Sequence, residues 1–185
     1  VYFSPAKTNK VEDTLLRELL TDSRVLTLPK NQFLVSEGVV DQHIYFIESG
    51  AVRVFLQTEF EELTIRFGYK DSFITSLSSF INGTPSEFYI QAIRGAQVRA
   101  ISKQQFETAI NTDIRYLQLY NAILEGLVIQ QLEREVDLLT ASPSERLQRV
   151  LKRSPRLFQE IPSKYIASYL RMTPETLSRI RKIND

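Results

Sequence analysis

The sequence predicts an α+β chain: an antiparallel β-body near the start, then one long helix, then a small helical end. Three observations carry this. Between Arg24 and about Ser102, short runs rich in valine, isoleucine and aromatics alternate with turn residues. From Lys103 to about Leu139 the apolar spacing becomes helical. Beyond Thr140, Ser142-Pro143 and Thr173-Pro174 each have the form of a helix start, a capping hydroxyl followed by proline.

The elements follow in order. "KVEDTLLRELLTD" places Val11, Leu15, Leu16, Leu19 and Leu20 at helical spacing. The runs "RVLTL", "QFLVS", "HIYFIES", "AVRVFLQT", "ELTIRFGY", "FYIQAI" and "QVRAI" are separated by signals that include Gly38, Ser49-Gly50, Gly68, Asn82-Gly83 and Gly95. They predict a sandwich or barrel of about eight short strands, a shape that often encloses a small ligand. A helix from Lys103 breaks near Asn111-Thr112. The next, Asp113–Leu139, would run about 40 Å at 1.5 Å per residue. Its apolar residues cover more than one face: Leu117, Leu127 and Leu138 in one direction, Leu124, Val128, Leu132 and Leu139 in another. A helix of that kind has two neighbours, here the β-body and either a second copy of itself or more of its own chain. Asn121, Gln131 and Glu135 interrupt its heptads. Gly126 costs roughly 1 kcal/mol in propensity and marks either a close approach of a partner backbone or a bend. In "TASPSERLQRVLKR", Ser142 and Glu145 have capping-box spacing, so a helix from Pro143 to about Arg153 is expected after a short joint that suits a hinge as well as a fixed connection.

Composition narrows the function. With 185 residues, 43% hydrophobic and 24% charged, the chain is long enough for one large domain and a small one. No run approaches the ~18 apolar residues of a membrane helix. The start, "VYFSPAKTNKVEDTLL", has no apolar signal-peptide core, which points to the cytoplasm; it begins on valine, so it is not taken as the start of the gene product. There is no cysteine and one histidine, His43, which excludes disulfides, thiol nucleophiles, thiolate zinc sites and metal sites built on several histidines. No Ser–His–Asp set, phosphate loop or H-E-x-x-H appears, no pair of carboxylates stands out, and the chain reads as a non-enzyme with no identifiable cofactor or metal. The net charge of +1 hides a partition. Residues 1–141 carry 13 Lys and Arg against 18 Asp and Glu, and residues 142–185 carry 10 against 4. A basic end on an acidic body is the footprint of a nucleic-acid-binding module, although a solvated helical tail would give the same sum.

The stretch "IPSKYIASYLRMTPETLSRIRK" sharpens this reading. Pro162 and Ser163 open a helix with Ile166 and Leu170 four apart, and Ala167 leaves room for a crossing helix. Arg171-Met172 makes the turn, Thr173 caps and Pro174 begins the second helix. At about 100° per residue from Glu175, Leu177 and Ile180 fall at about 200° and 140°, while Glu175, Ser178, Arg179 and Lys182 lie within about 60° of zero. One stripe thus holds an acceptor for cytosine N4, a hydroxyl, a fork for guanine O6/N7 and an ammonium that reaches phosphate. Two helices joined by a tight turn form a helix-turn-helix; a plain amphipathic hairpin would also be polar outside.

With "GVVDQHIYFIESGAVRVF", the long helix and the terminal "YIASYLRMTPETLSRIRK", the chain resembles the Crp/Fnr family of bacterial transcription regulators across nearly its full length. The resemblance implies an N-terminal helix and cyclic-nucleotide-binding-like β-roll (residues 1–111), a dimerisation helix (112–141) and a helix-turn-helix domain (142–185). It implies a homodimer along Leu117, Leu124, Val128 and Leu132 that places two recognition helices about 34 Å apart on double-stranded DNA, with RNA polymerase as a further candidate partner. Carried over by position, Glu175 and Arg179 read bases, Ser178 lies beside them, and Thr173, Thr176, Arg181 and Lys182 contact phosphates.

The departures matter as much. Cyclic-AMP-binding members carry Gly-Glu and Arg-Ser in the phosphate cassette; here Thr75-Ser76 and Ser86-Glu87 stand there, so cyclic AMP is not expected to bind. A buried carboxylate facing phosphate without a cation would cost several kcal/mol. Gas-sensing variants are excluded by the missing cysteines and the single histidine. Phe73, Ser76, Phe80, Ser86, Phe88 and Tyr89, with Tyr120 and Leu124 of the long helix, line a candidate effector pocket or simply pack a core. Arg171 stands where such turns often use glycine, at a cost of about 1 kcal/mol. The chain stops soon after the recognition helix, so any wing contact must come from elsewhere.

Overall fold

A computed structural model describes residues 10–184. Residues 1–9, part of the stretch read above for an export signal, lie outside it. Helix α1 (Lys10–Thr21) buries Leu15, Leu16 and Leu19. Strands β1 (Arg24–Leu28), β2 (Phe33–Val35), β3 (His43–Gln57), β4 (Glu62–Tyr69) and β5 (Ser72–Ile74) follow, then a short helix α2 (Leu77–Asn82) and β6 (Tyr89–Ser102). Every pairing is antiparallel. The long strands β3 and β6 pair with each other; β1 and β2 line the two halves of β6, and β5 and β4 the two halves of β3.

The described residues hold six strands, not about eight, because two expected turns are bulges inside strands. Ser49-Gly50 and Gly95 sit where the β3–β6 register slips between Ile47 and Val52. Gly50 takes φ +81°, and a Cβ there would stand 2.2 Å from the Gly95 carbonyl oxygen. Only a residue without a side chain lets the two backbones bend this closely. The bend folds the paired strands into a roll whose interior holds Leu28, Ile47, Val52, Ile74, Ile90 and Val98.

Helix α3 (Lys103–Thr112) starts at a complete capping box between Ser102 and Gln105. Asp113 interrupts it, accepting the Arg115 amide at 2.9 Å, and α4 (Arg115–Leu139) begins. Leu119, Ile123 and Leu127 of α4 pack with α1, α3 and Phe73 and Phe80 in a second core. The expected grouping of Leu117 with Leu127 does not hold, since Leu127 is fully buried and Leu117 is 37% exposed; Leu138 lies on the Leu127 side but beyond the core, 47% exposed. Gly126 likewise lies on the buried side with Leu127.

The terminal helices are α5 (Pro143–Arg153), α6 (Leu157–Glu160), α7 (Ser163–Tyr169) and α8 (Pro174–Asn184). Ser142 caps α5 by accepting the Glu145 amide at 3.3 Å. A third core joins Leu147, Val150, Ile166, Leu170 and Leu177 of these helices to Phe67 and Tyr69 of β4. The joint left open by the sequence is thus packed. Asp137 of α4 is fully buried and takes Arg149 Nε at 3.0 Å and the Arg153 guanidinium. Arg134 of α4 stacks on the Tyr169 ring at 3.9 Å, and burial pushes the Tyr169 phenol up to about 12. No described helix is long and apolar enough to cross a membrane.

Candidate nucleic-acid interface and effector cassette

Helices α7 and α8 form where the spacing predicts them, joined by a tight turn. Ile166, Ala167 and Leu170 of α7 and its turn are buried against Leu177 and Ile180 of α8 and the third core. Arg171 takes φ +53°, the left-handed backbone that glycine usually supplies. Thr173 caps α8 by accepting the Thr176 amide at 3.2 Å, and its hydroxyl lies 3.2 Å from that of Thr176. Both hydroxyls are engaged locally as well as being candidate phosphate contacts.

Glu175, Ser178, Arg179 and Lys182 are all exposed and, with Pro174, line one open concave face. Among the described residues no hydrogen bond or ion pair engages the Arg179 or Lys182 side chain. Hydrogen bonds from its own amide and from Thr173 hold the Glu175 carboxyl below the usual carboxylate range, so it is an anion at neutral pH. Arg181 departs from this stripe: its guanidinium lies 4.1 Å over the Phe158 ring. That stacking fixes its direction while leaving it partly accessible.

The cassette positions are satisfied from within. The Ser76 hydroxyl donates to Ser86 Oγ at 2.8 Å, and Ser86 Oγ donates to the Phe88 carbonyl at 2.8 Å while accepting the Phe88 amide at 3.1 Å. Ser76 is 1% and Ser86 2% exposed. Glu87 points to solvent, so the cost expected of a buried carboxylate does not arise; what remains is a cassette with no cation at these positions. The other candidate pocket residues are divided. Phe73 and Phe80 lie in the second core, where Tyr120 and Leu124 pack against them, whereas Phe88 packs against the roll interior. Tyr89 stacks on Phe55 at 5.2 Å. Leu124 cannot serve a cassette and a partner equally: it is half-buried against its own core, while Val128 and Leu132 are 48% and 56% exposed.

Sequence reasoning passed over Asp137 and Arg134. The signal was present: at about 100° per residue both fall on the face of Leu127 and Ile123, where an ionised side chain must find a partner. It also passed over Arg53, which is 4% exposed and lies between the Phe55 and Tyr165 rings at 4.0 and 4.5 Å. No local pattern marks that one, because Tyr165 is more than a hundred residues away.

Residues 25–113 match the cyclic nucleotide-binding domain family. The match runs along the strands of the roll with α2 and α3. Among solved structures the chain is similar to FixK2 from Bradyrhizobium japonicum, with a TM-score of 0.75, 19% identity and coverage of 86% of this chain and 83% of that one. A CooA mutant from Carboxydothermus hydrogenoformans gives 0.72 and 18%, covering 89% and 77%. The c-di-GMP responsive global regulator CLP, linked to virulence gene expression in Xanthomonas campestris, gives 0.69 and 17%, covering 92% and 90%. At such identities these likenesses show a shared fold. Comparison with curated protein sequences finds no match.

Proposed function

We propose that the chain is a sequence-specific DNA-binding transcription regulator of the Crp/Fnr type that acts in the cytoplasm as a homodimer and is not an enzyme. One observation carries this: the second helix of a helix-turn-helix presents Glu175, Ser178, Arg179 and Lys182 together on an open face at the basic end of the molecule. Arg179 forks to a guanine, Glu175 accepts from a cytosine N4, and Thr173, Thr176, Arg181 and Lys182 approach phosphates. The likeness to a global regulator supports the reading. In this proposal residues 1–111 are the sensor-like body, 112–141 the dimer helix and 142–185 the reading head. An effector or partner near the cassette would act by changing the angle of the long helices, which resets the separation of the two heads.

Selection of bound sequences from a random duplex pool tests DNA binding and half-site spacing together. Arg179→Ala is expected to weaken the selected site by about 1–3 kcal/mol and to relax preference at one base pair, with an unchanged far-ultraviolet spectrum. A variant that binds selected and random duplexes as the parent does would remove base reading by Arg179. Titration calorimetry with cyclic AMP is expected to give no heat of binding at micromolar nucleotide, since no cassette cation meets the phosphate. A micromolar isotherm would overturn the assignment of the cassette.

A further inference from the structure

A groove runs between the tip of the β3–β4 hairpin and the helix-turn-helix. Glu61 and Glu62 form one wall; Lys164 and Arg171 belong to the other, and Thr173 and Pro174 line the end toward α8. The tip is well braced. The Thr58 hydroxyl lies 3.0 Å from both the Glu61 amide and the Glu61 carbonyl, and the Phe60 amide donates to it at 3.3 Å. The acidic wall is also anchored to α7: Ser168 Oγ accepts the Thr64 amide at 3.0 Å and donates to the Glu62 carbonyl at 3.1 Å. The hairpin cannot drift from the head without breaking both bonds.

The two carboxylates differ in what they face. Glu62 is engaged by the Arg53 guanidinium at 2.6 Å. Glu61 instead faces Arg171 at 3.8 Å, with both side chains about half exposed. Arg171 sits in the turn immediately before α8, and in a helix docked into a major groove that turn runs beside the sugar–phosphate backbone. It is therefore placed to neutralise a phosphate, yet it is held by a carboxylate that would repel the same phosphate.

We propose that Arg171, with Lys164, is a DNA-backbone contact outside the reading stripe, and that Glu61 is its guard, an autoinhibitory carboxylate that the duplex must displace. This rests on the DNA-binding reading above. A loose, exposed ion pair is weak enough for a phosphate to compete with, so the guard lowers affinity without abolishing it. Because the wall is fixed to α7 by Ser168, the guard moves with the head.

The test uses the full chain and a duplex recovered by selection, titrated over a range of salt concentrations. Glu61→Gln is expected to tighten binding about twofold to fivefold. Arg171→Gly, which suits the left-handed backbone, is expected to weaken binding and lower the slope of log affinity against log salt by about one. In the double variant the gain from Glu61→Gln should vanish, since Arg171, the cation that Glu61 holds, is gone. Matching thermal melts confirm folded variants. Unchanged or weaker binding by Glu61→Gln, or a gain that persists beside Arg171→Gly, overturns the guard while leaving DNA binding intact. If neither parent nor Glu61→Gln shows salt-dependent duplex binding, the DNA reading falls as well.

Discussion

Asp137→Ala is expected to destabilise the folded chain by about 3–5 kcal/mol, measured as a loss in urea unfolding free energy. The carboxylate is fully buried, and its removal strands two guanidinium groups that now close on it, Arg149 and Arg153. Arg153 keeps a second partner in Glu133 at 2.8 Å, and the Arg149 side chain is 39% exposed. Water therefore compensates part of the loss, which places the expectation in the lower half of that range. Asp137→Asn, nearly the same shape without the charge, is expected to cost most of the same energy. Losses below about 1 kcal/mol for both variants would mean that the joint between α4 and α5 is held by apolar packing alone.

On the homodimer proposed above, Val128→Glu with Leu132→Glu is expected to give a folded monomer, read by sedimentation at micromolar concentration. Ile114, Leu117, Val128, Ile129, Leu132, Val136 and Leu139 are between 37% and 78% exposed along one side of α4, a larger apolar face than an isolated helix surface carries without a partner. The two substituted positions are open to solvent, so the change should leave the second core, built on Leu119, Ile123 and Leu127, intact. Placing four carboxylates in a two-helix seam removes apolar area and adds like-charge repulsion. On the same proposal, binding to a palindromic duplex should fall about 100-fold or more, because the second head would lose its tether to the first. A variant that sediments as the parent does would show that this face is covered otherwise.

Much of the fold was legible because it is local. The caps at Ser142 and Thr173, the helix break read near Asn111-Thr112 and the turn at Arg171 each depend on residues within about four positions of one another, the range over which backbone amides and short side chains compete. The stripe of Glu175, Ser178, Arg179 and Lys182 was legible for the same reason, since helical periodicity alone gathers it. Six strands emerged where about eight were expected, because a glycine marks a turn and a bulge with the same letter. Only the partner strand decides between them, here through the Gly50 and Gly95 backbones in contact.

By itself, then, the sequence determined an antiparallel body, a long helix with apolar residues on more than one side, and a terminal pair of short helices with a polar, arginine-bearing outer stripe. Periodicity and capping write those features directly into neighbouring residues. The tertiary structure alone decided which side of α4 is spent on the chain's own core, that Asp137 gathers two arginines, and that Ser168 latches the head to an amide 104 positions away. Such contacts form when distant segments are brought together by burial of the common core, and no short window of sequence contains both partners.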